Sequence, residues 1–221
     1  MITNFRYKPF IRIYFVFVCA FSVNTWSFEL QVVDQQGKPV ENAVVSIPRG
    51  VIGEIGDDYA VMDQVDKRFL PKVLAIKKGT QVIFPNSDNI RHHVYSFSKG
   101  NPFQIELYKG VPKSPISFNS EGVVVLGCNI HDTMVGYIYV SPWPEFGISN
   151  KEGLINFPIK ENESMPTQIE VWHPWFENVG EKMTINFDGS LTDPAIVSLK
   201  LKSQKSTEPK KSKFKKFYNE N

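Results

Sequence analysis

Cys128-Asn-Ile-His131-Asp-Thr-Met134 sets a thiol, an imidazole and a thioether on one short segment between two apolar runs. Soft sulfur, imidazole and a weak axial Met are the donor types taken by redox-active copper. Such a set needs one further imidazole from elsewhere in the fold. The chain offers two neighbours for that place, in Asn86-Ser-Asp-Asn-Ile-Arg-His92-His93-Val94. Successive residues of a strand point to opposite faces, so one of the pair meets the loop and the other faces away.

The cysteine inventory sharpens this reading. Arg6, Lys8 and Arg12 followed by an uncharged apolar run over 13–23 read as an export leader, with a cut expected after Ser27. The run is too short for a comfortable membrane span, although an uncleaved anchor is the alternative. Cys19 follows Val18 rather than a small residue, which argues against a lipidation site. Of the two cysteines, only Cys128 then remains. A lone thiol in an oxidising compartment has no disulfide partner, and metal ligation is a good reason to keep it. A buried, inert cysteine is the plainer alternative, weakened by His131 and Met134 beside it.

Charge is unevenly spread. Of 25 basic and 23 acidic residues, three basic ones leave with the leader, and the tail from Lys202 holds seven Lys and two Glu. The remaining 28–201 body has 15 basic and 21 acidic residues, a formal −6. An acidic body suits docking to a basic protein partner and gives no reason to expect a nucleic-acid partner.

The elements that must position the donors read as strands. The segments 28–33, 43–47, 73–76, 81–84, 93–97, 105–107, 116–118, 123–126 and 137–140 are short, rich in Val, Ile and Phe, and separated by Gly, Pro, Asn and Asp. Only 59–69 holds a pattern compatible with a short helix. The sum predicts an all-β chain, an antiparallel sandwich or barrel. Beyond Ser141-Pro-Trp-Pro144, further strands are expected at 154–159, 168–172, 182–187 and 196–201, either as a small β module or as an extension of the first sheets. From 203 the composition turns Lys/Ser-rich, predicting a disordered basic tail.

Several matches in chain order resemble the cupredoxins, the plastocyanin and amicyanin family. They are Gly122-x5-Cys128, Cys128-x2-His131-x2-Met134, Met134-Val-Gly136-Tyr-Ile-Tyr-Val140, and Asn86 followed by His92-x-Val94. The resemblance covers about half of the chain and implies a Greek-key β-sandwich over 28–144 with one type 1 copper ion. It assigns His92 and His131 as imidazole ligands, Cys128 as thiolate and Met134 as axial thioether, with His93 where the family usually has Asn. It also implies that Asn86 ties the two ligand loops together. More narrowly, Met62-Asp-Gln64, Phe84-Pro-Asn86, His92-His-Val-Tyr-Ser-Phe97 and Cys128-Asn-Ile-His-Asp132 resemble the cupredoxin-type proteins labelled methylamine utilization. That label implies partnership with an amine dehydrogenase. Gln31-Val-Val-Asp-Gln-Gln-Gly-Lys-Pro-Val40 and Glu170-Val-Trp-His-Pro174 resemble carboxypeptidase-regulatory-like β modules, which makes 145–202 such a module or a sheet extension.

These readings converge on a monomeric periplasmic carrier of single electrons, with a cytochrome c or a dehydrogenase as redox partner and no membrane span after leader removal. A copper chaperone or store is the alternative; it favours Met-rich or His-rich exposed sites, and the chain has five Met. A multicopper enzyme needs more ligands than the spare His93 and His173. A cysteine hydrolase is disfavoured because Cys128 and His131 share one tight loop with no third group. His173 stands without a Cys or His neighbour, and Met62 and Gln64 suit packing or a turn contact better than ligation.

Overall fold

The computed structural model describes residues 26–50, 59–159, 163–187 and 194–202. The expected leader up to residue 25 and the basic tail lie outside the described residues; β1 begins at Trp26, two residues inside the expected leader. Among the described residues no helix is long and apolar enough to cross a membrane.

The chain is all-β, as its residue pattern implies. The strands are β1 (Trp26–Asp34), β2 (Val44–Ile47), β3 (Tyr59–Val61), β4 (Asp63–Val65), β5 (Arg68–Leu70), β6 (Val73–Lys77), β7 (Gln81–Ile83), β8 (His92–Ser96) and β9 (Phe103–Tyr108). They continue with β10 (Ile116–Ser117), β11 (Gly122–Gly127), β12 (Val135–Ser141), β13 (Glu145–Ile148), β14 (Leu154–Ile159), β15 (Gln168–Trp172), β16 (Met183–Asn186) and β17 (Ala195–Leu199).

Two apolar cores organise these strands. A five-stranded sheet, β6-β12-β11-β8-β9, stacks on the three-stranded sheet β10-β7-β3 and the hairpin β4-β5. Between them lie Met62, Phe69, Ile76, Val82, Phe84, Val94, Phe118, Val124, Leu126, Cys128, Met134, Ile138 and Val140. The second core is enclosed by β14-β1-β17 and β13-β2-β15-β16, around Leu30, Val45, Ile155, Trp172 and Val197. β12 borders both. Ile138 and Val140 enter the first core, whereas Tyr137 and Tyr139 turn to the second, where their rings lie 5.8 and 5.7 Å from that of Trp172. A strand buried on both faces reads as a continuous apolar run, which is the character of Tyr-Ile-Tyr-Val.

Three features differ from the sequence expectation. Three of the five sheets are mixed: β6 with β12, β3 with β7 and β1 with β17 run parallel, joining strands too far apart in the chain for hairpins. β1 and β2 pair with strands after residue 144, not with the 59–141 strands beside which they stand in sequence. Residues 59–69 are strand, not helix. Met62, Gln64 and Phe69 are buried between exposed or half-buried neighbours, and Asp66 and Lys67 both have positive φ, 51° and 57°. With Val65 opposite Arg68, this is a two-residue hairpin turn of the type that suits the twist of paired strands.

His173 closes the second core rather than a metal site. Its Nε2–H donates to the Glu41 carbonyl at 3.1 Å, and its Nδ1 accepts the Trp175 amide at 3.2 Å. Burial pushes its pKa down to about 4, only partly opposed by the bond to Glu41. A second ring proton would meet the Trp175 N–H head on. Between pH 6.5 and 4 the unfolded chain therefore binds the proton that the folded chain refuses, and stability falls as pH falls, by up to about 3 kcal/mol. Urea denaturation across that range should show a steeper acid loss for the native chain than for His173→Gln, which starts lower but lacks this proton linkage.

Candidate metal centre

The 128–134 loop is held by the ladder that closes beneath it. β11 and β12 pair antiparallel until Gly127 meets Val135, leaving the seven residues between them as the connection. Inside the loop the Met134 amide donates to the His131 carbonyl at 2.9 Å. β8 lies beside β11 with Tyr95 opposite Gly127, so the start of β8 comes to the same end of the sheet as Cys128. Two glycines allow the close packing here. A Cβ on Gly127 would stand 2.7 Å from the Tyr95 ring, and one on Gly136 would stand 2.7 Å from Phe69 Cβ.

The donors meet at that end. Cys128 Sγ is 3.8 Å from His92 Nδ1 and 3.8 Å from His131 Nδ1, and all three donor atoms lie within 4.8 Å of one another. Both imidazoles thus turn the same nitrogen toward the sulfur, with ring centroids 5.0 Å apart. His92 and Cys128 are buried, at 0% and 3% exposure, and His131 is half-buried. Met134 is buried in the same core as Cys128. Among the described residues this is the one place where three such donors converge.

His93 points away. Its ring lies 5.6 Å from that of Tyr95, on the other face of β8, and its buried Nδ1 has no hydrogen-bond partner among the described residues. Alternation along the strand survives the irregularity opposite β9 between His92 and Val94.

Behind His92 stands a polar frame. His92 Nε2 donates to Asp88 Oδ2 at 2.7 Å. The same carboxylate accepts the turn amides of Asp66 at 2.6 Å and Lys67 at 2.9 Å. Burial pushes the Asp88 carboxyl up, but the Lys67 amide, the His92 ring and the Asp66 amide outweigh it and hold the pKa below its ordinary value. Asp88 stands behind His92 rather than among the donors, so no ligand spacing in the sequence marks it. The available signal is its place four residues before His92, inside a turn.

Asn86 acts differently from the role its family resemblance implies. Its Nδ2 donates to the carbonyls of Ile90 and Tyr108, both at 2.9 Å, and its Oδ1 accepts the Asp88 amide at 3.1 Å. These bonds shape the 86–90 turn and fasten it to β9, rather than reaching the 128–134 loop. Gln64 donates to the Pro85 carbonyl at 3.1 Å and to the Tyr108 hydroxyl, which donates on to Phe84 O at 2.5 Å. Burial pushes the Tyr108 phenol up to about 12, so it stays a donor at any ordinary pH. Met62 is core packing.

No family model and no curated protein sequence matches the chain. Among solved structures, the reduced Cu(I) form of an amicyanin variant is similar at 20% identity over 44% of this chain and 98% of its own, with a TM-score of 0.35. A purple cupredoxin from Nitrosopumilus maritimus is similar at 23% identity over 38% of this chain and all of its own, TM-score 0.33. A Cu-containing nitrite reductase from Thermus scotoductus SA-01 is 30% identical over 37% of this chain, TM-score 0.35; the match spans 22% of the reductase.

The Asn86 clamp has a measurable weight. Asn86→Ala deletes three part-buried hydrogen bonds at about 1 kcal/mol each, and should lower the unfolding free energy of the metal-free protein by up to about 3 kcal/mol in urea. Asn86→Asp should be at least as damaging, because it sets a carboxylate oxygen against two carbonyls.

Proposed function

We propose that this protein is a type 1 copper protein that carries single electrons in the periplasm, with His92, Cys128, His131 and Met134 as the ligands of one ion. The convergence of two Nδ1 atoms on a buried thiol carries the reading. Sulfur and nitrogen donors at about 2.3 and about 2.0 Å from one ion, and about 120° apart, stand about 3.7 Å from each other. That is close to the 3.8 Å separation of Cys128 Sγ from each imidazole Nδ1. A bound copper ion would supply a one-electron Cu(II)/Cu(I) couple, with the weak thioether tuning it.

The chain's own part is to hold the donors still. Cys128 gives up its thiol proton on binding and offers a thiolate. His92 is fixed from behind by Asp88, and Met134 by the start of β12. Donors that do not rearrange between oxidation states keep the barrier to electron exchange low. The core of Leu126, Met134 and Phe69 keeps water from the sulfur. His131 is the most exposed donor, and Ile130 and Ile90, half-exposed beside the two ligand segments, give a mixed apolar rim suited to a protein partner. A c-type cytochrome or an amine dehydrogenase is the class of partner. Copper delivery or storage needs ligands that an acceptor can reach, and the buried His92 and Cys128 favour the carrier.

Adding Cu(II) to the metal-free protein should raise an intense sulfur-to-copper charge-transfer band with a narrow-hyperfine EPR signal. Cys128→Ser should abolish the band. His92→Ala should weaken copper binding by more than the roughly 10–100-fold typical of losing a residue behind a ligand. His93→Ala should keep the band. A colourless native protein, or a band that depends on His93, would contradict the proposal.

A further inference from the structure

The carboxylate of Asp88 is built into the fold with more care than a surface acid needs. It takes three N–H donors: the Asp66 amide at 2.6 Å, the Lys67 amide at 2.9 Å and His92 Nε2 at 2.7 Å. Its own amide is held by Asn86 Oδ1 at 3.1 Å, so its backbone is fixed from the other side. Its side chain is 13% exposed, and the imidazole it touches is fully buried. Asp66 and Lys67 both occupy the left-handed region, which strains a non-glycine residue. Two charge-assisted bonds to their amides offset that strain. The hairpin turn and the carboxylate therefore hold each other in place.

We propose that Asp88 is a positioning residue that sets both the tautomer and the electron-donating strength of His92. Resting on the copper reading above, this makes the β4–β5 turn a structural control on the site's reduction potential. A carboxylate at Nε2 keeps the proton on that nitrogen, which leaves the Nδ1 lone pair free toward Cys128. It also shares negative charge with the ring, making Nδ1 a stronger donor. A stronger, more negative donor favours the more highly charged oxidation state. Asp88 thus holds the potential below the value that His92, Cys128, His131 and Met134 would set unaided.

The first test needs no metal. In the metal-free native protein, nitrogen-15 NMR should show His92 with its proton on Nε2, downfield and slow to exchange. A proton on Nδ1, or rapid exchange at Nε2, overturns the proposal whatever the metal chemistry. The second test titrates the native protein and Asp88→Asn with Cu(II) and measures the midpoint potential of each. Asp88→Asn should keep the charge-transfer band, lose about tenfold or more in Cu(II) affinity, and rise in potential. A tenfold loss with Cu(I) affinity unchanged corresponds to about 59 mV. Equal potentials in two copper-loaded proteins would overturn the tuning role. Repeating the comparison in an Asp66→Asn/Lys67→Gly background, whose turn no longer needs the carboxylate, separates tuning from support: the shift should persist, and its disappearance would mean that Asp88 acts only by bracing the hairpin. Absence of the band in the native protein would defeat the copper reading but leave the NMR test of the Asp88–His92 pair standing.

Discussion

The burial of β12 on both faces is the constraint on which the rest of the molecule depends. Its residues alternate between two cores, Ile138 and Val140 to one, Tyr137 and Tyr139 to the other. A one-residue slip would exchange the two sets and put aromatic rings where aliphatic side chains fit. Neither core tolerates that, so the register of β12 against β11 and β6 is fixed twice over. Because Met134 and the end of the 128–134 loop adjoin the first residue of β12, the same constraint sets the height of the loop. Gly136 serves this arrangement directly, since Phe69 occupies the space a side chain would need.

Against that rigid wall the second histidine segment is placed by polar contacts. The 86–91 stretch leading into β8 is irregular, and its shape comes from Asn86 and Asp88. One donor set is therefore anchored by apolar packing and the other by hydrogen bonds, with the sulfur at the meeting point. Apolar packing fixes position, and a carboxylate shared by three N–H groups fixes orientation as well. The combination gives a buried thiol two imidazoles of defined orientation.

How much of this was legible in the sequence depended on whether the deciding contact was local. The loop was legible because donors and flanking strands are contiguous, and Gly122 and Gly136 mark the strands. Alternation said that His92 and His93 face opposite ways, and the family resemblance, not alternation, pointed to His92 as the one toward the loop. The hairpin at Asp66-Lys67 was hidden because the usual glycine of such a turn is missing, and the group that stabilises it in its place is a carboxylate 22 residues downstream. Asp88 was hidden for the same reason, seen from the other end. β1 and β2 announced themselves as strands, but alternation says only that one face is buried. It does not say that the strands paired beside them begin about a hundred residues later.

That last separation bears on the order in which the chain can take shape. Leu30 pairs with Ala195, whereas the ladders of the 59–141 segment close among residues at most a few dozen apart, apart from β6 against β12. Loop-closure entropy makes near contacts form before distant ones. The donor-bearing segment can therefore assemble first, with β1 and β2 pairing only once the strands after residue 144 join them. The frame around Trp172 then closes over the back of β12 as a late clasp. A truncation from the C-terminal side would strike this clasp before it touched His92, Cys128 and His131.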